Sequence, residues 1–357
     1  MLSFLTSALL LMHGLIHLIG FRRQDLSRPV RSAWLVCAAL FVVSAMLVLL
    51  TESWWIVSTV ALLLSQSLIA FHWKDAKAGT IVNVAVLVVI LLGYGEHRFN
   101  RLAADELSIL ESNPIRSGKN PEITQADLKH LPAPVGRWLT RSGVVGQRRI
   151  TGLSLTQTGE MRTTPDGSWM PFTARQQFRV DAPGFLWMVN VKAAPGIALR
   201  GRDLLHSGRG SMRIELLSLF PVADAKGPQI DQGAIVRFLA ESIWFPTSAL
   251  EPYMSWTAVS DSQARVTLKQ NAQTVHADFF FDANGDIIAI EADRYMDRNG
   301  SSTLERWRID IDPASKEVFP GPNGIPFHLP TESTVTWKLK EGDFTWLKLK
   351  VADLKYQ

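Results

Sequence analysis

Four long apolar stretches near the amino terminus constrain the fold of this chain more than any other feature. They cover residues 4–21, 33–50, 54–71 and 80–95, and none of them contains Asp, Glu, Lys or Arg. At about 1.5 Å of helical rise per residue, each is close to the length needed to cross a hydrocarbon core of about 30 Å. We therefore predict a four-helix transmembrane domain in residues 1–96.

The charge of the connecting loops predicts the orientation of these helices. Basic residues occupy the first and third loops, at Arg22, Arg23, Arg28, Arg31, Lys74 and Lys77. The loop at residues 51–53 carries none. Because Lys and Arg near helix ends stay on the cytoplasmic side, the amino terminus and everything after residue 95 are predicted to lie outside the cytoplasm. The net charge of +4 comes largely from these loops, so it does not indicate a nucleic-acid partner.

Histidines in the apolar stretches are the first candidate functional residues. His13 and His17 are spaced to lie on one face of the first helix, and His72 follows the third. Such a set between helices could hold haem or a metal, which makes a membrane redox component one alternative. Hydrogen bonding to neighbouring helices is the other explanation, with Gly14 and Gly20 permitting close approach. No carboxylate or cysteine completes a coordination set, so we predict no metal and no cofactor.

Past the apolar stretches, the chain becomes polar and then changes its hydrophobic period. Residues 97–123 are predicted to form a juxtamembrane helix (102–110) and a linker. Residues 124–357 are predicted to form an extracytoplasmic β-rich domain. It begins with a short helix capped by Thr124 and Asp127 and a second helix from about Pro134 to Gly143.

From Arg149 onward, apolar residues recur with a period of two, which predicts strands. The predicted strands are 150–162, 169–180, 185–192, 196–206, 210–219, 255–260, 264–270, 275–281, 287–295, 303–311, 333–340 and 344–353. Asn-Gly pairs at 284–285 and 299–300 predict hairpin turns. The expected fold is therefore a mainly antiparallel sheet.

Alternation within the strands predicts a sheet with one apolar face. Val335 and Trp337 alternate with Thr336 and Lys338, for example. An apolar face of this size must be covered. The amphipathic segment 231–245 could cover it, with an N-cap at Asp231 and an apolar stripe of Ile235, Phe238, Leu239 and Ile243. We predict a curved sheet or half-barrel wrapped around this helix.

Charged residues on otherwise apolar strands suggest a ligand site. They are Glu160, Arg162, Arg175, Arg200, Arg202, Asp203, Arg213 and Glu215. If they face inward, they would suit an amphipathic ligand with its head at Arg200 and Arg202. Its tail would then lie against Phe185, Trp187, Phe238 and Trp244. The alternative is a set of outward-facing ion pairs.

A second alternative is a hydrolase. Asp203, His206 and Ser207 have the residue types of a catalytic triad, although no Gly-x-Ser-x-Gly motif accompanies them. No catalytic residue is therefore assigned, and the sequence favours binding over catalysis.

Several motifs together resemble a known family. They are residues 13–17 (HGLIH), 131–138 (LPAPVGRW), 159–162 (GEMR), 169–174 (WMPFTA) and 237–246 (RFLAESIWFP). They resemble an uncharacterised bacterial membrane-anchored family with four amino-terminal spans and a carboxyl-terminal domain of unknown function. The architecture of the outer domain also resembles periplasmic lipoprotein carriers, in which a half-closed sheet holds acyl chains. The resemblance implies a bacterial protein and no assigned activity.

Together these features predict a protein of the bacterial inner membrane. Its outer domain is expected to bind a lipid, an acyl group or another amphipathic small molecule in the concave face of the sheet. The membrane is the second expected partner, and protein partners are unassigned. A scaffold that docks another protein through residues 124–142 is a third alternative.

Overall fold

Four long helices joined by short connections make up the first part of the computed structural model, which describes residues 2–112, 120–298 and 300–357. The helices, with one short helix among them, are α1 (Leu2–Arg22), α2 (Arg28–Leu50), α3 (Trp54–Phe71), α4 (Trp73–Ala76) and α5 (Gly79–Glu111). All but α4 are long and apolar enough to cross a membrane. The prediction of four membrane-compatible helices is confirmed.

The last of these helices runs further than predicted. Instead of ending near residue 95 and restarting at 102, α5 continues to Glu111 without a break. No proline interrupts residues 96–111, and Glu, Arg, Leu and Ala, which favour helix, fill most of that stretch. Residues 113–119 of the predicted linker lie outside the described residues.

Contacts between residues divide the chain into two units. The helical unit comprises the residues up to Leu102 together with Leu217–Phe220, and the β unit comprises Ala103–Leu216 together with Pro221–Gln357. In the helical unit, Gly14 lets α1 lie against α2, because a Cβ at this position would stand 2.9 Å from Phe41 Cβ. Leu10, Cys37 and Phe41 are fully buried between the helices.

Two short helical segments precede the strands of the β unit. The capping box is present, with the backbone N–H and hydroxyl of Thr124 both donating to Asp127 Oδ2 at 2.7 Å. It starts a 3₁₀ turn over Gln125–Leu128. Helix α6 (Ala133–Arg141) buries Val135, Trp138 and Leu139, as its predicted apolar face requires.

Antiparallel strands form the rest of the β unit. The strands are β1 (Gly152–Met161), β2 (Met170–Arg179), β3 (Gly184–Ala194), β4 (Ile197–His206), β5 (Arg209–Leu216), β6 (Phe220–Lys226), β7 (Met254–Ser260), β8 (Gln263–Gln270), β9 (Gln273–Phe281), β10 (Ile287–Arg298), β11 (Ser301–Ile311), β12 (Lys316–Pro320), β13 (Pro326–Pro330), β14 (Glu332–Leu339) and β15 (Gly342–Tyr356). Thirteen of them form one sheet in the order β6-β5-β4-β3-β2-β1-β15-β14-β11-β10-β9-β8-β7, and β12 pairs with β13. The predicted antiparallel sheet is confirmed.

The hairpin predicted at residues 282–286 is also confirmed. Asp282 N–H donates to Asp286 O at 2.9 Å, and Gly285 has a φ of +89°, a conformation that favours glycine. Asn299 of the second Asn-Gly pair lies outside the described residues. The sequence did not predict β6, β12 or β13. Predicted strand 210–219 instead ends at Leu216 and is followed by β6.

Helix α7 (Pro228–Glu241) explains why the sheet is curved. It contacts β4 and β5 near one edge of the sheet and β9 and β10 near the other. Only a sheet that curls around the helix can make both sets of contacts. We call the face that contacts α7 the concave face and the opposite face the outer face.

The boundaries of this helix differ from the prediction. It begins three residues earlier, after Gly227, whose φ of +120° suits a residue without a Cβ. Asp231 does not cap the helix, because its Oδ1 accepts a hydrogen bond from Gly210 N–H at 2.7 Å. After Glu241 the chain tightens into 3₁₀ turns over Ser242–Trp244 and Pro246–Leu250. Ile235, Phe238 and Leu239 are fully buried, as their predicted stripe requires.

Candidate functional site

Three of the four aromatic residues predicted to bind a ligand tail come together on the concave face. Phe185 and Phe238 are fully buried, and Trp187 is nearly so. Phe178 lies between the first two, with ring centroids 6.2 Å from Phe185 and 6.4 Å from Phe238. Trp244 is also buried, but it lies in the 3₁₀ turn after α7, where its Nε1 donates to Pro330 O at 3.2 Å.

Arg200 and Arg202 lie on the outer face, so they do not share a pocket with these aromatic residues. In the strand register Trp187 pairs with Asp203, and its neighbour Met188 pairs with Arg202. Side chains alternate between faces along a strand, so Asp203 shares the concave face with Trp187 and the two arginines do not. Arg200 and Arg202 therefore follow the outward-facing alternative, which could not be distinguished from the inward-facing one because the register of β3 and β4 is not visible in the sequence.

On the outer face, Arg202 forms a buried ion pair with the end of α5. Its Nη2 lies 2.5 Å from Glu106 Oε1, and its Nη1 donates to Ser211 Oγ at 2.6 Å. Ala103 and Leu110 of the same helix pack with Leu186 beside it. These contacts explain Arg202 as a residue that holds the carboxyl-terminal part of α5, which belongs to the β unit, against the sheet.

A different set of charged residues occupies the concave face. Arg237 of α7 donates to Asp203 Oδ2 and to Glu241 Oε1, at 2.9 Å in each case. Glu241 Oε2 also accepts from Gln176 Nε2 at 2.7 Å. The side chains of Arg237 and Glu241 are only 13% and 9% exposed, although both lie outside the predicted apolar stripe of this helix. We call Asp203, Arg237, Glu241 and Gln176 the inner polar cluster.

Further side chains contact this cluster, and its surroundings shift the pKa of Glu241. Gln157 donates from Nε2 to Gln176 Oε1 at 3.1 Å and accepts from Trp187 Nε1 at 2.8 Å. The guanidinium carbon of Arg237 lies 4.4 Å from the centroid of the Trp187 ring, within the range of a cation–π contact. Burial raises the pKa of the Glu241 carboxyl above its ordinary value, and the charge of Arg237 opposes this shift.

Arg294 of β10 is a second arginine on the concave face that the sequence did not single out. Its Nε donates to Gly233 O at 3.0 Å, and its guanidinium carbon lies 4.9 Å from the Trp307 ring centroid and 5.9 Å from that of Trp337. Burial lowers its pKa to about 10, and the charge of Arg237 adds to this shift. The alternation within predicted strand 287–295 already indicated this placement, because Arg294 and Ala292 are two residues apart and therefore lie on the same face.

One end of the concave face is closed by the protein itself. Tyr356 Oη donates to Trp244 O at 2.9 Å, and Ile150 N–H donates to Thr247 Oγ1 at 3.0 Å. These bonds tie the 3₁₀ turns after α7 to the last residues of β15 and to the segment before β1. We call this region the closed end.

At the opposite end of the concave face, apolar side chains are only partly buried. Partly buried apolar residues there, all packed against the core, are Met161, Met170, Leu199, Met296 and Leu339. They stand at the ends of β1, β10 and β14 and at the starts of β2 and β4. Because neighbouring strands are antiparallel, these positions all lie at the same end of the concave face. We call this end of the concave face the open end. Arg294, Trp307 and Trp337 lie beside it.

The possible triad is not assembled by the structure. Asp203 points into the concave face and is bonded to Arg237, whereas His206 alternates to the outer face. Ser207 lies in the turn after β4 with a φ of +49°. The three side chains therefore do not meet in a hydrogen-bonded set.

In the helical unit, the two buried histidines are bonded to other helices. His13 Nε2 lies 2.7 Å from Asn83 Oδ1, and His17 Nε2 lies 2.9 Å from Ser65 Oγ. Ser65 Oγ donates in turn to Asn83 Oδ1 at 3.0 Å. The network joins α1, α3 and α5, which matches the expectation of interhelical hydrogen bonding.

His72 does not join this network. Its Nδ1 lies 3.0 Å from Leu68 O, one turn back along the chain. Within residues 2–112, 120–298 and 300–357, no group of three or more His, Cys, Asp and Glu side chains could hold a metal ion. The cross-helix ligand set of His13, His17 and His72 is therefore not assembled.

The chain consists of four long apolar helices followed by a domain in which a curved antiparallel sheet surrounds a helix. The model of the family of unknown function DUF6544 matches residues 121–349, so the chain belongs to that family. This confirms the resemblance to an uncharacterised family with a carboxyl-terminal domain of unknown function.

Comparisons with individual proteins add little to the family assignment. None of the curated proteins matches the chain. Among solved structures, a DUF1329 family protein from Desulfovibrio piger is similar over 66% of this chain and 94% of its own length, with 10% identity and a TM-score of 0.36. A likeness at this level says nothing about activity.

Proposed function

We propose that the β unit binds an amphipathic molecule, such as a lipid or an acyl group, at the open end of the concave face. The observation that carries this proposal is a row of partly exposed apolar side chains next to buried charged residues on the same face. Ligand sites in proteins combine an apolar, concave lining with a few polar groups in the same way.

A ligand tail that covered the apolar side chains at the open end would bind favourably. Met161, Leu199 and Met296 are side chains that water still reaches. Burying apolar surface contributes roughly 25 cal/mol per Å², so an acyl chain that covered about 100 Å² here would gain about 2.5 kcal/mol. Phe185 and Trp187 would form the deeper floor of the site, below the open end.

The proposal includes the placement of the protein in a membrane. In it, residues 1–96 are the transmembrane domain, residues 97–123 connect it to the β domain, and residues 124–357 lie on the outer side of a bacterial inner membrane. The basic loops at 22–32 and 72–79 support this orientation. Protease added to intact spheroplasts should digest residues 124–357. Digestion only after lysis would contradict the orientation.

Lipid mass spectrometry of the purified full chain tests the binding proposal. We expect an acyl-containing species enriched over the lipids of the same membranes. Leu199→Trp, which fills the open end, should lower that enrichment about tenfold, the effect of about 1.4 kcal/mol. Leu304→Trp is the matched control, because Leu304 lies on the outer face and is 53% exposed. Equal lipid content in all three proteins would refute the proposal.

A further inference from the structure

The concave face holds a hydrogen-bond donor that lacks a partner among the described residues. Trp307 is 3% exposed, and its Nε1 is buried without a hydrogen-bond partner in the described chain. A buried donor left unbonded costs about 1–3 kcal/mol, so such groups call for an explanation.

Arg294 adds a positive charge to this place. Its guanidinium lies over the Trp307 and Trp337 rings, and its hydrogen bond among the described residues is the one from Nε to Gly233 O. No carboxylate of the described chain lies within ion-pair distance of it. By contrast, Arg237 in the inner polar cluster is bonded to both Asp203 and Glu241.

The other charges nearby are already matched. Glu305 is directly opposite Arg294 in the register of β10 and β11, and its Oε1 lies 3.4 Å from Arg298 Nη1. Arg298 also pairs with Glu341 at 3.1 Å. Arg294 is therefore a cation without an ion pair of its own among the described residues, although the more distant carboxylates of Asp203 and Glu241 act on its charge. Trp307 Nε1 beside it is a neutral donor without a partner among the same residues.

We propose that Arg294 and Trp307 Nε1 bind the anionic head group, a carboxylate or a phosphate, of the amphipathic ligand. This inference rests on the proposed function, because the tail of the same molecule lies along the open end. Met296 is the next residue of this face after Arg294, and Leu339 is the next after Trp337, so a tail can extend directly from the head-group site. An anion accepts from charged and neutral donors together, and charge-assisted hydrogen bonds are about twice as strong as neutral ones.

The test compares three probes of equal chain length: dodecanoate, dodecyl phosphate and dodecanol. Binding of each radiolabelled probe to the full chain in nanodiscs is measured by equilibrium dialysis, with the signal from empty nanodiscs subtracted. We expect at least one of the two anions to bind about tenfold more tightly than the alcohol. Inorganic phosphate at a similar concentration should not displace it. Displacement by inorganic phosphate alone would overturn the lipid assignment in favour of a free-anion site.

Substitutions locate the head-group site. Arg294→Gln should bring the affinity for the anions down to that for dodecanol and leave dodecanol unchanged. Arg306→Gln is the matched control, because it removes the same charge from an ion-paired arginine on the outer face of the neighbouring strand β11. Trp307→Phe keeps an aromatic ring and removes only Nε1, so it should weaken the anions about threefold and spare the alcohol.

The outcomes separate this inference from the proposed function. Equal affinities for the three probes, unchanged in Arg294→Gln, would overturn the anionic head group while leaving an apolar site in place. If none of the probes binds above empty nanodiscs, the proposed function fails together with the inference. A loss of anion binding in Arg306→Gln equal to that in Arg294→Gln would also overturn it, because the effect would then follow net charge.

Discussion

Arg237 donates to Glu241, one turn further along α7, at 2.9 Å inside the concave face. The bond lies between a helix and a sheet that cover both side chains almost completely. A helix whose charged side faces inward is unusual, since such a side normally faces water. Here the inward charges are satisfied by Asp203 and Gln176, so the helix keeps a polar stripe within an otherwise apolar interior.

Loss of Arg237 should destabilise the β unit strongly. Arg237→Met leaves the carboxylates of Asp203 and Glu241 without their cation, and breaking a buried pair in this way costs about 3–5 kcal/mol. The free energy of unfolding of the full chain in detergent, followed by urea titration, measures the loss. Arg306→Gln removes a more exposed arginine and should cost at most about 1 kcal/mol. Equal losses would contradict the role of the cluster.

The raised pKa of Glu241 predicts a specific dependence of stability on pH. The folded protein holds this proton more tightly than the unfolded chain does. The contribution of Glu241 to stability should therefore be fully present below the ordinary carboxyl pKa of about 4.3 and should be lost as the pH rises through the higher pKa of the folded state. In Glu241→Gln this decline should disappear from melting temperatures recorded between about pH 4 and pH 8. Glu332→Gln, on the outer face, controls for net charge and should keep the decline.

Asn83 should stabilise the packing of the membrane helices. Asn83→Leu removes the acceptor of His13 and Ser65, which links three helices. Interhelical hydrogen bonds in membrane proteins contribute about 0.6 to 2 kcal/mol, so a modest decrease in the melting temperature in detergent is expected. Ser67→Ala serves as the control, since Ser67 donates to Leu63 O of its own helix. An unchanged melting temperature in Asn83→Leu would show that the network contributes nothing to stability.

Periodicity predicted the elements of this protein well but not which residues share a face across neighbouring strands. Strand 185–192 and strand 196–206 are both visible as alternating runs. Whether Arg202 or Asp203 faces Trp187 depends on a register that differs by one residue, and a shift of one residue exchanges the two faces. The sequence left that register open, and the candidate head group was assigned to the outer face as a result.

The inner polar cluster could not be predicted for a related reason. A charged stripe on a helix predicts a wet side, which is correct for a helix that lies on a sheet. It fails for α7 because the sheet curls around this helix and covers its charged side as well. The curved sheet around the helix was predicted, but the particular strands that reach its charged side, such as β4 and β10, are far apart in the chain, and no local pattern reports these contacts.

The most direct test of ligand binding is to map where a photoreactive acyl probe attaches to the full chain. A palmitoyl probe with a diazirine at the end of its tail is activated in nanodiscs, and the modified residues are found by peptide mass spectrometry. The account predicts adducts at open-end residues such as Met161, Leu199 and Met296, and their loss in Leu199→Trp. Adducts in the β unit confined to outer-face residues such as Leu304, with none at the open end, would contradict it.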